Sequence, residues 1–154
     1  MRTADQNYRT DLVEVVTIGF PFCAFKVVTG MRLLQEEKQV TGWLLVALGL
    51  IDAALNATNL MALIFVKRRA VPTCTFSLMA NWVPASAATA KGSLQDVGNA
   101  LDVLVSFTLV ALMVGLGKIP LLPVELLQAW NVAVVLNVLG AGLSRFGASL
   151  KRVT

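Results

Sequence analysis

Asp52, Asn56 and Asn59 are the residues of this chain whose types and spacing most plainly could do chemistry. They lie inside residues 42–66, a stretch with no other charge that is closed by Lys67, Arg68 and Arg69. On a helix, at about 100° per residue, the three fall within roughly 60° of one another, with Gly49 beside them, so they share one narrow face. A carboxylate near the middle of a membrane costs on the order of 2.5–3.5 kcal/mol on insertion scales, so it must face protein or water, be paired, or carry a proton. Two uses fit such a stripe. It conducts a proton or cation, or it clamps neighbouring helices through hydrogen bonds, which is the commoner use of intramembrane asparagine.

A buried acid calls for a counter-charge, and Lys26 is the only basic residue inside a predicted span. It either pairs with Asp52 or snorkels toward the outer surface, where Arg32 follows; snorkelling is the expectation. Asp102 and Ser106 repeat the acid-plus-small-polar pattern on the third span, and Asp102 and Glu14 are the other ionisable groups able to join an ion pair. Ser106 is the second candidate to face Asp52. Glu14 reads most simply as a charge at the entrance of the first helix, where the positive end of the helix dipole favours it. Pro21 deprives the Thr17 carbonyl of its helical donor and predicts a kink. On the fourth span Ala129, Ala133, Asn137 and Ala141 recur every four residues, a ridge on which another backbone can approach closely. Gln128 and Asn131 lie elsewhere on that helix. Two polar faces predict two neighbours, one of them another chain.

The chain contains no histidine and two cysteines. Histidine-ligated haem, the usual zinc sites and every histidine-based triad are therefore unavailable to it alone. No nucleophile and base stand at a recognisable spacing, so the expectation is no enzyme, no metal and no cofactor. Cys23 falls inside the first apolar segment and Cys74 in a link beyond the second, which argues against a disulfide between them.

The elements that must position these residues follow from composition. Hydrophobic residues make up 56% of the 154, charged residues 14%, and mean hydropathy is +0.73. An ordinary soluble domain has roughly 45–50% and about 25%, so lipid must cover the excess. The apolar runs predict an all-α, polytopic bundle of four transmembrane helices, a single domain with spans at about 12–31, 42–66, 100–117 and 124–143 and a cytoplasmic link at 67–99. Pro120 and Pro123 separate the last two spans. The apolar part of the link, residues 70–90, suits a surface loop, a re-entrant turn or a poor fifth span. Ser93 followed by Asp96 has the spacing of a capping box and predicts a helix start near Leu94.

Four spans place nine basic residues on one side (Arg2, Arg9, Lys67, Arg68, Arg69, Lys91, Arg145, Lys151, Arg152) and three on the other (Arg32, Lys38, Lys118). An interfacial first segment or a fifth span would erase that bias. The positive-inside rule then predicts both termini in the cytoplasm of a plasma or bacterial inner membrane, with Lys67, Arg68 and Arg69 against lipid headgroups. The basic residues flank apolar runs and form no stripe, which speaks against nucleic acid. The N-terminus lacks a cleavage pattern and is read as mature from Met1.

The expected function is a structural or regulatory subunit of a membrane assembly, in contact with the bilayer and with other subunits or copies of itself. The alternative is a small oligomeric channel or proton- or cation-coupled transporter with Asp52, Asn56 and Asn59 lining its path.

Overall fold

The computed structural model describes residues 4–79 and 88–150, with side chains described for 8–79 and 94–142. Among the described residues the α-helices are, in chain order, α1 (Ala4–Glu14), α2 (Phe20–Gln35), α3 (Gln39–Val66), α4 (Thr75–Met79), α5 (Ala88–Gly115) and α6 (Val124–Leu150). A π-helical turn, Val15–Gly19, joins α1 to α2, and a 3-10 turn, Ile119–Leu121, precedes α6. Four stretches are long and apolar enough to cross a membrane: Tyr8–Gln35, Gln39–Val66, Leu94–Gly115 and Val124–Gly142. The protein is all-helical and membrane-spanning, with four such helices in a bundle.

Two of the long helices, α2 and α5, stop for a local reason. After α2, Lys38 N–H donates to Leu33 O (3.0 Å) and Glu37 N–H to Leu34 O (3.1 Å), with Glu37 at φ 63°. After α5, Lys118 N–H donates to Met113 O (2.9 Å) and Gly117 N–H to Val114 O (3.0 Å), with Gly117 at φ 61°. Both ends are Schellman motifs, in which a residue in the left-handed conformation lets orphan carbonyls find donors.

Two sets of ion pairs tie the ends of the bundle. Lys118 Nζ donates to Glu36 Oε1 at 2.7 Å, so the turn after α2 and the link after α5 lie together. That hydrogen bond holds the Glu36 carboxyl below its ordinary range, helped by the charges of Arg32 and Lys38. A lowered folded-state value means that the tie is fully present above the ordinary carboxylate range and is released as pH falls through the lowered one. At the other end, Arg69 donates to Asp11 (2.9 Å) and Glu14 (2.8 Å), joining the start of the first span to the end of α3.

The first span is the axis of the bundle. Buried residues are 44% of its apolar window but 17% of that of the last span, and α2 packs against α3, α5 and α6 alike. Its contact with α3 uses small residues. A Cβ built on Gly30 would lie 2.8 Å from the Gly42 carbonyl oxygen, and one on Gly49 would lie 2.9 Å from the Cys23 carbonyl. Its contact with α5 and α6 is aromatic: Phe25 and Trp130 have ring centroids 5.0 Å apart, and Phe22 meets Phe107 edge-on at 5.5 Å. With lipid as apolar as leucine, close packing of this kind, and not removal of apolar surface from water, favours helix association.

Pro21 shapes the entry to α2. Without an N–H at position 21 the helix opens into the π-turn, and the Thr17 carbonyl accepts from Asn137 Nδ2 of α6 at 3.4 Å.

The helices differ from the sequence-based expectation at their ends. The first span is helical from Ala4 through Gln35, so Glu14 lies well inside it. The third helix begins by Ala88, which places Ser93 within it and leaves no N-cap for the predicted capping box. The link is correspondingly shorter than 67–99, and its residues 80–87 fall outside the described residues.

Gly30→Leu is expected to destabilise the protein by about 1–3 kcal/mol through overpacking against α3. Gly115→Ala, whose Cβ meets nothing within 4 Å, should leave stability unchanged. Thermal unfolding in detergent, followed by tryptophan fluorescence, distinguishes the two variants.

Candidate functional site

The stripe on α3 faces inward and is consumed by the chain that follows it. Asp52, Asn56 and Asn59 are each 2% exposed or less. Instead of lying on a surface, residues 70–75 fold back along α3 and hydrogen-bond to the stripe rung by rung. Asn59 Oδ1 accepts from the N–H groups of Ala70 (3.0 Å) and Val71 (3.1 Å), and its Nδ2 donates to Val71 O (3.0 Å). Asn56 Nδ2 donates to Thr73 O at 3.0 Å. Asp52 Oδ1 accepts from both the N–H and the Oγ1 of Thr75, each at 2.6 Å, at the start of α4. Asp52 lies seven residues, roughly 10 Å, deeper along the helix than Asn59. Irregular backbone at such depth survives only where protein satisfies its polar groups, and the stripe does this.

On its other side the link rests on α5. A Cβ at Gly98 would lie 2.6 Å from the Ser77 backbone nitrogen, so only glycine admits α4 at this distance. Thr73 Oγ1 and Ser77 Oγ both donate to Asn99 Oδ1, at 2.8 and 3.0 Å. Cys74 is buried, 2% exposed, against Gly98 and Asn99. This corrects the picture of the segment as a surface loop, because Cys74 is shielded by its own fold. Both cysteines are free thiols.

Lys26 overturns the snorkelling expectation. Its side chain is wholly buried, and its ammonium donates to Asp52 Oδ2 and to Asp102 Oδ1. Three intramembrane charges left apart would cost on the order of 8–10 kcal/mol, more than snorkelling one lysine recovers, so collecting them around one ammonium wins. Asp52 and Asp102 differ in what surrounds them. Asp52 also has the two donors of Thr75, whereas Lys26 is the only group found donating to Asp102 among the described residues. Asp102 is also the more open, with its side chain 11% exposed against 2% for Asp52.

That opening leads into a cavity of about 90 Å³ lined by Glu14, Gly19, Asn56, Arg69, Thr73, Asn99 and Asp102, among others. Glu14, read from the sequence as an entrance charge, pairs with Arg69 and flanks this cavity. Ser106, buried one turn beyond Asp102, has no hydrogen-bond partner among the described residues, and neither has Thr29 Oγ1. Among the described residues no three histidine, cysteine, aspartate or glutamate side chains converge as metal ligands.

The remaining sequence-derived residues are placed as follows. Ala133 is buried in the core beside Phe25 and Trp130, and Asn137 bonds to Thr17, so the middle of the α6 ridge is covered by the first span. Ala129 and Ala141 at its margins are exposed. Lys67 and Arg68 are exposed, as headgroup anchors would be, while Arg69 is drawn into its pairs with Asp11 and Glu14.

Sequence reasoning named Asp102 as able to join an ion pair but missed that Lys26 takes both acids at once, and it missed the use of link backbone as the partner of the stripe. The signal for the first was present: three ionisable side chains inside spans are each other's cheapest partners. Comparison with family models, curated proteins and solved structures finds no match for the chain.

Lys26→Met leaves two buried carboxylates without a counter-charge and is expected to cost about 3–5 kcal/mol. Asp102→Asn retains a one-to-one Lys26–Asp52 pair and should cost no more than about 1 kcal/mol. Unfolding titrations of both variants in mixed micelles check the order.

Proposed function

We propose that this protein is a non-enzymatic helical membrane subunit that works packed against other membrane chains or copies of itself. The observation that carries the reading is the sealing of the Asp52–Asn56–Asn59 stripe. Apart from the Asn56 side-chain oxygen, its donors and acceptors are engaged with the 70–75 backbone and with Lys26, so the stripe acts as a clamp that folds the link into the bundle. What the bundle presents outward is apolar: Leu104 and Leu112 on α5, Val132, Val135 and Val138 on α6, Leu50 and Phe65 on α3. These are surfaces for lipid and for other spans.

A second reading, a small carrier or channel for protons or cations, is favoured by one observation, the cavity lined by Asp102 together with Glu14 and Arg69. In this reading the path uses Asp102 on α5, and the α3 stripe serves as its wall.

The bundle end that carries the first residues of the first span, the 67–75 link and Arg69 is assigned to the cytoplasm, on the nine-to-three excess of basic residues. The turn at Glu36 and the link at Lys118 then face the opposite side. Reporter fusions at Thr154 and within residues 35–39 are expected to report opposite sides of the membrane, and a common side would overturn the assignment. Purification from native membrane in mild detergent is expected to yield stoichiometric membrane chains or a homo-oligomer. A monodisperse monomer under all mild conditions would refute the subunit reading.

A further inference from the structure

The charge cluster does not balance. Lys26 supplies one positive charge, Asp52 and Asp102 supply two negative ones, and all three are buried. The ammonium together with the Thr75 donors satisfies Asp52, which leaves Asp102 as the seat of the surplus. A uniform excess of one negative charge in a low-dielectric interior is too costly to persist without a compensating positive charge.

A second observation comes from another residue that lines the same cavity as Asp102. Asn56 is 2% exposed, and its Oδ1 has no hydrogen-bond partner among the described residues. The atom lies over Gly19, another wall of the same cavity, in space that any side chain at position 19 would fill. A buried carbonyl oxygen left without a donor forfeits its hydration, and it regains this when a cation or a water occupies the space before it. Asn99 and Thr73 add two further oxygen-bearing side chains to the wall. The remaining polar wall is Glu14 and Arg69, which are ion-paired with each other, Arg69 also reaching Asp11.

We propose that this cavity is a binding site for one monovalent hard cation of the Na⁺ class, held by the Asp102 carboxylate and the Asn56 side-chain oxygen and entered from the end marked by Glu14 and Arg69. The ligand class follows from the donors and the charge. All donors are oxygens, which suit hard cations. A single positive charge brings the cluster to neutrality, while a divalent ion would reverse the imbalance. The volume of about 90 Å³ admits an ion with a few of its waters, since a water needs roughly 10–15 Å³ of such space. A proton on Asp102 removes the same surplus, so Na⁺ and protons compete for the site.

The ionisable groups around Asp102 are Lys26 and Cys23 from α2, Asp52 from α3, Glu14 from α1, and Arg69 and Cys74 from the link. The site goes beyond the subunit reading and stands whether the chain acts alone or in an assembly.

The test is Na⁺-dependent stability of the full chain in detergent, in NaCl or choline chloride at equal ionic strength, at pH 8 and pH 5, with equilibrium binding of radioactive Na⁺ alongside. The expected result is a rise in Tm of about 3 °C or more in 100 mM Na⁺ over choline at pH 8, reduced at pH 5. One Na⁺ should bind per chain, and both effects should vanish in Asp102→Asn. Equal Tm in the two salts at pH 8, without bound Na⁺, would overturn the proposal. A Tm that responds to pH alone would overturn it too, leaving a proton in place of the cation. A Na⁺ response that persists in Asp102→Asn would place any ion elsewhere and equally overturn it. Should Asp102→Asn fail to fold, Asn56→Leu serves in its place. It keeps every charge, so loss of bound Na⁺ from the folded variant supports the site and retention refutes it.

Discussion

Everything inside this bundle depends on where a single ammonium ends. Lys26 projects from the central span, and its buried Nζ draws one carboxylate from α3 and one from α5 to the same point. The two acids lie 26 and 76 residues away in sequence, so the contact fixes the relative depth of three spans at once. Apolar packing around Phe25, Phe22 and Trp130 is strong but tolerant of sliding, since leucine, valine and lipid are nearly interchangeable neighbours. Opposite charges in a low dielectric are not tolerant. They set register, and the glycine contacts of Gly30 and Gly49 then let α3 close on α2 at that register.

From that point the structure propagates outward through hydrogen bonds. Asp52, held by Lys26, receives the first N–H of α4 and so anchors the link at its deepest point. Asn59 and Asn56 secure the backbone of the link on its way in to that point, and Gly98 allows the far side of α4 to lie on α5. The link bridges α3 and α5. The fourth span is attached differently, through the aromatic core and the bond from Asn137 to the carbonyl that Pro21 sets free.

Much of this was legible in the sequence. Helical periodicity alone put Asp52, Asn56 and Asn59 on one face, composition gave four spans, and Pro21 marked Thr17 as the carbonyl in need of a donor. What periodicity does not encode is the identity of a non-local partner. The occupant of the stripe is mostly main chain, which carries no residue-type signature, and residues 70–79 show no alternation or stripe of their own. Lys26 was misjudged for a related reason. Considered beside Asp52 alone, snorkelling is competitive, but a second acid from α5 changes the balance, and Asp102 sits on a segment whose depth the sequence leaves open. On the α6 ridge only Ala133 and Asn137 meet the chain's own first span, because which neighbour a row of small residues faces depends on topology and not on spacing.

The central claim is that Lys26 is energetically coupled to both acids and that this coupling holds three spans in register. Double-mutant cycles between Lys26→Met and each of Asp52→Asn and Asp102→Asn, measured by reversible unfolding in bicelles, test it directly. The account predicts coupling above about 1 kcal/mol in both cycles, with each Asp→Asn change partly rescuing Lys26→Met. Additivity within about 0.3–0.5 kcal/mol in both cycles would contradict it and leave packing alone to explain the fold.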